Sequence, residues 1–176
     1  MRHLSEVIHS SLRWVQPHMF GREWELRRDD EIVAILTLRS AFGTLAEGTC
    51  DDGTWTFKRV GFFQPRVTVR AGGATADLAV FEPNTWTGGG SLRLADGRCM
   101  QVTTNFWQSR IEFALEDDTV LFRYLTEGFA RQNAAIEAMP ALERMPEMAW
   151  LLLFGWYLVV MMHQDAAAGA VVIAAS

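Results

Sequence analysis

The residues whose types and spacing could do chemistry surround one chain reversal. Lys58 and Arg59 precede Gly61-Phe62-Phe63-Gln64-Pro65, and Arg66 and Arg70 follow it. Alternation on the two flanking runs puts Thr56, Lys58, Arg66, Thr68 and Arg70 on one outward face. Neighbours across a hairpin lie about 5 Å apart, and like charges set that close are destabilising, so a bound anion relieves the cluster. With Phe62 and Phe63 exposed at the tip, an apolar wedge rimmed by Lys58, Arg59 and Arg66 suits an anionic phospholipid or a membrane surface, or a small anionic ligand held at the same face. On a plainer reading, preferred on the sequence alone, Phe62 or Phe63 folds inward to plug a barrel end and the bases pair with nearby carboxylates.

No other constellation carries chemistry. His3, His9, His18 and His163 are scattered, and no G-x-S-x-G, H-E-x-x-H, C-x-x-C or Walker pattern occurs. Gly88-Gly89-Gly90 lacks the lysine and helix of a phosphate loop and reads as a hairpin loop. The acid pairs Asp29-Asp30, Asp51-Asp52 and Asp117-Asp118 have turn-forming rather than calcium-loop spacing. Cys50 and Cys99 lack metal-ligand spacing and read as two small buried side chains. We assign no catalytic residue, metal ligand or cofactor and expect a non-enzymatic protein; the enzyme alternative rests on carboxylates such as Glu25 or Glu112 acting as acid or base.

Composition narrows the partners. A net charge of −5 argues against general nucleic-acid binding, which needs a basic excess to neutralise phosphates. The N-terminal run MRHLSEVIHSSLRW is interrupted by Glu6 and His9 where a signal peptide is uninterruptedly apolar, so the expectation is a cytoplasmic protein, peripheral to the inner membrane if it binds lipid. The 176 residues suffice for one domain with a sizeable core.

The elements that must position the basic reversal are strands. Residues 1–20 read as a short amphipathic segment around Leu4, Val7 and Ile8, then a strand from Leu12 ended by Pro17. From Arg22 onward apolar and polar residues alternate, as Trp24 and Leu26 do with Glu23, Glu25 and Arg27, and the alternation recurs to Tyr124. Tips at 29–30, 51–53, 72–73, 96–97 and 117–118 recur about every 21 residues, which is two strands and two turns each time. About eleven or twelve antiparallel strands are too many to stay an open sheet with one wet face; closing them removes the edges.

Met148 to Met162, MAWLLLFGWYLVVMM, is free of charge and proline. A helix apolar all round must be enclosed by protein or by lipid. At about 1.5 Å per residue the stretch covers roughly 22 Å, short of a bilayer core of about 30 Å. Extension through Asp165 to Ala175 keeps a tail-anchored membrane protein, with residues 148–175 spanning, as the alternative. The preferred reading puts this helix, from about 146 to 175, inside the barrel, since about eleven strands leave a lumen wide enough for one helix. Phe129 to Met139 reads as a surface helix between barrel and core, ended by Pro140.

The acidic or Asp-Gly tips (Asp51-Asp52-Gly53, Asp96-Gly97, Asp117-Asp118) and the hydrophobic C-terminal helix after Pro146 resemble the tubby C-terminal-like superfamily, which includes tubby domains, phospholipid scramblases and LURP-one-related proteins. The likeness is one of architecture over about residues 12–176. Trp55-Thr-Phe-Lys-Arg-Val-Gly-Phe-Phe also resembles uncharacterised bacterial members. The resemblance implies a closed barrel around a central helix and, in some members, phosphoinositide or phospholipid binding. The chain lacks a long basic insert and a Pro-rich or Cys-rich N-terminal segment of the scramblase kind.

Overall fold

The turns dictate the pairing. The computed structural model describes residues 3–19, 21–41, 43–84, 88–105, 109–127 and 132–174. The chain reverses tightly at 29–30, 51–52, 96–97 and 117–118, with Asp29 and Asp118 at φ of 52° and 63°, and turns at 72–73 into a longer link to the next strand. Aspartate tolerates that left-handed region better than most residues, so these tips stay short and each run pairs with its neighbour.

Twelve strands lie among the described residues: β1 (Leu12–Val15), β2 (Glu23–Arg28), β3 (Glu31–Leu38), β4 (Ala46–Cys50), β5 (Gly53–Val60), β6 (Arg66–Ala71), β7 (Ala79–Pro83), β8 (Gly90–Leu94), β9 (Cys99–Thr104), β10 (Arg110–Leu115), β11 (Val120–Glu127) and β12 (Asn133–Ala138). Each pairs antiparallel with the next, and β1 pairs with β12 to close the barrel. A short helix, α1 (Leu4–Val7), precedes the barrel, and α2 (Met148–Ala174) runs through it.

Two sequence expectations are corrected here. The surface helix expected over 129–139 is strand β12 from Asn133 to Ala138, with Leu12 opposite Ile136 and Tyr124 opposite the same residue. Its Ala-rich sequence favours helix, but the open edges of β1 and β11 offer a full ladder of backbone partners, and that tertiary demand prevails. Phe129 and Ala175 lie outside the described residues. The run after the Gly72-Gly73 turn, which reads from the sequence as a strand from Ala74 to Phe81, pairs only from Ala79, so that β7 extends from Ala79 to Pro83.

Protein encloses the apolar stretch. Met148 to Met161 are buried, on a helix that by length and composition could also cross a membrane. Trp156 stacks on Trp14 of β1 at 5.3 Å with the rings 5° from parallel. Phe154 meets Phe57 and Phe81 at 5.9 Å and Phe113 at 6.2 Å, so one helical ring touches three strands around the barrel. The Tyr124 hydroxyl donates to the Leu152 carbonyl, tying β11 to the helix backbone.

Gly155 explains itself at this level. A helix-interior glycine costs about 1 kcal/mol against alanine. Here an added Cβ would lie 2.6 Å from the Tyr124 ring and 3.2 Å from both Phe113 and Phe122. The bare backbone is what lets three aromatics approach.

Candidate functional site

The two barrel ends differ in chemistry because the hairpins alternate. One end carries the short turns and therefore Asp29, Asp30, Asp51, Asp52, Asp96, Asp117 and Asp118. The N-terminus of α2 sits there, with Glu147 hydrogen-bonded to Arg98 beside the Asp96 turn. The opposite end, the mouth, carries the β5–β6 reversal, and α2 leaves through it: Asp165 of the helix meets Arg59 of β5.

At the mouth Phe62 and Phe63 are 92% and 93% exposed, packed edge-on against each other at 5.2 Å and against little else. The inward-folded phenylalanine preferred on the sequence alone is thus not what the chain does. The reversal between Val60 and Arg66, the last pair of the β5–β6 ladder, carries both rings beyond the strands.

The bases divide. Lys58 lies opposite Thr68 and Arg66 opposite Val60, both on the exposed outer face as the alternation predicts. Among the described residues neither has an ion-pair partner, and Glu82 on the adjacent strand is engaged by Arg93 at 2.7 Å. Arg70 is held by Asp77 at 2.6 Å. Arg59 follows Trp55 and Phe57 on the inward parity and grips Asp165 through two bonds of 2.9 Å. That hydrogen bond and the Asp165 charge hold its pKa above the ordinary guanidinium value. Sequence reasoning missed Asp165 as its partner, although a lone charge in an apolar helix was the available signal.

Beneath this rim lies a cavity of about 310 Å³. Val67, Phe81, Leu158 and Met161, all buried, form its floor, and Pro65, Arg66 and Gly88 reach its exposed edge. Gly89 lies against it, pressed so close to β9 that a Cβ would stand 2.0 Å from the Val102 carbonyl oxygen, which accounts for part of the glycine run.

Other candidates stay apart. Glu25 on β2 is held by Arg27 and Glu112 on β10 by Arg123, with three strands between them around the barrel. Cys50 is buried, and burial, the largest influence, pushes its thiol pKa up to about 11. Cys99 is only half-buried on the outer face, which corrects the expectation of two buried thiols. Among the described residues no group of three or more His, Cys, Asp or Glu is placed to hold a metal.

The fold and mouth define a class by architecture, an antiparallel β-barrel filled by its own helix with one acidic end and one basic, apolar end. Comparison with protein-family models, curated proteins and solved structures returned no match.

Proposed function

We propose that this protein is a non-enzymatic barrel that docks its mouth on an anionic phospholipid surface. The carrying observation is the exposed Phe62-Phe63 pair, flanked by Arg66 and Lys58, which have no ion-pair partner among the described residues. Two phenylalanines leaving water contribute about 1.5–3 kcal/mol each, and each base near an anionic leaflet about 1 kcal/mol. Such totals give a reversible, micromolar to submillimolar attachment rather than a permanent anchor.

Two further features support this orientation. The acidic turns lie at the far end, so an anionic surface repels that end and attracts the mouth. The backbone of α2 continues past Asp165 to Ala174, roughly 14 Å of helix whose sequence there is free of charge. The architecture also supports kinship with the tubby C-terminal-like superfamily, which we propose on the barrel and its central helix.

Vesicle flotation tests the docking. Recovery is expected to be several-fold higher with phosphatidylglycerol-containing vesicles than with phosphatidylcholine alone, to fall with added salt, and to be abolished by Phe62→Ser/Phe63→Ser and by Lys58→Glu/Arg66→Glu. Equal recovery with both vesicle types overturns it.

A further inference from the structure

The mouth cavity is distinct from the wedge, and nothing above gives it an occupant. Its floor of Val67, Phe81, Leu158 and Met161 is apolar, and a methionine wall adapts to varied aliphatic shapes. Arg59 and Asp165 satisfy each other in its side, so neither awaits a ligand charge. Arg66 at the rim is the charged group left over, exposed and without an ion-pair partner among the described residues. An apolar floor under one free guanidinium matches an amphiphile: an aliphatic chain inside, an anionic head at the edge.

We infer that the cavity binds a single medium-length acyl chain with its carboxylate or phosphate head at Arg66. Size sets the chain length: about 310 Å³ is roughly twice the cavity that holds a benzene ring, so eight to twelve carbons is about the limit before the chain runs out along α2. The chain excludes water from the floor, and the guanidinium fixes which end enters first. The site needs no bilayer, so it stands or falls separately from the docking.

Calorimetry with the full chain, in vesicle-free solution below the micellar concentration, tests it using octanoate, 1-octanol and a short-chain lysophosphatidylglycerol. Octanoate is expected to bind one to one and at least tenfold more tightly than octanol; comparison with the lysolipid shows whether a free fatty acid or a phospholipid fragment is the better source. Arg66→Gln, on the exposed rim, is expected to bring octanoate to within twofold of octanol while octanol binding is kept. Met162→Trp, filling the half-buried side of the cavity, is expected to weaken both at least fivefold, with near-UV circular dichroism confirming the fold. Absence of saturable binding, or octanoate binding unchanged by Arg66→Gln, overturns the inference. Octanoate binding without flotation removes the docking alone, and flotation without octanoate binding removes the cavity ligand alone.

Discussion

Arg59 and Asp165 are joined by two parallel hydrogen bonds of 2.9 Å, linking the strand that enters the exposed reversal to the helix where it leaves the barrel. The pair sits where α2 passes from wholly buried residues to exposed ones. Asp165 is 60% exposed, so solvent screening keeps its contribution small. Asp165→Ala is expected to cost about 1 kcal/mol or less in urea denaturation. Hydrogen exchange at residues 162–168 should rise well before the rest of the helix; unchanged protection there would deny the pair its role as the clamp on the helix exit.

Gly155→Ala opposes two effects of known size. Helix propensity favours alanine by about 1 kcal/mol, while overpacking a filled core costs typically about 1–3 kcal/mol. With Tyr124, Phe113 and Phe122 all on the added methyl, packing wins. Net destabilisation with an altered near-UV aromatic signal is expected. A more stable protein would mean that the aromatic rings have room to move aside.

The His3 ring and the Leu4 amide both reach Asp52, at 2.9 and 2.8 Å, holding α1 against the β4–β5 turn. The Asp52 hydrogen bond and charge raise the His3 pKa above 6.5. Burial works against ionising Asp52, but the Leu4 amide, His3 and Cys50 outweigh it and hold its carboxyl below the usual value. The histidine contribution is complete below about pH 6.5 and fades as pH rises through the raised value; the aspartate contribution is complete above about pH 4 and fades on acidification. The stability difference between wild type and His3→Ala should therefore peak between about pH 4 and 6.5 and shrink at pH 9, as measured by denaturation at each pH. A difference independent of pH would sever the link to titration.

Removing the helix should undo the barrel. Chain ended after Met145 loses Trp150, Leu151, Leu152, Phe154, Trp156 and Tyr157 from the core, each worth about 1.5–3 kcal/mol when fully buried. That sum is comparable with a whole domain's stability of about 5–15 kcal/mol. The truncated chain should aggregate or bind a hydrophobic dye without a cooperative melt; a soluble, cooperatively melting product would show that the strands hold without their filling.

How far the chain can be read without coordinates depends on which force acts locally. Aspartate tips and period-two alternation are local, so Asp51-Asp52-Gly53 and the runs beside it appear where expected. The all-apolar stretch from Met148 has no polar face to expose, and its burial in the lumen follows. β12 was hidden because Ala134 and Ala135 carry no strand signature; only the closing partners β1 and β11 make them extended. Partly buried Trp55 and buried Phe57 share their parity with Arg59, so its inward side was readable from the alternation. The exposure of Phe62 and Phe63 was not legible, since an irregular reversal has no period to assign its faces.

The joining of β1 to β12 imposes an order of events on synthesis. The seam cannot form until residue 138 has been made, and the filling helix is translated after every strand. Early hairpins therefore emerge with their lumen side bare and keep it bare until α2 has been made, which is the interval in which this chain exposes most apolar surface.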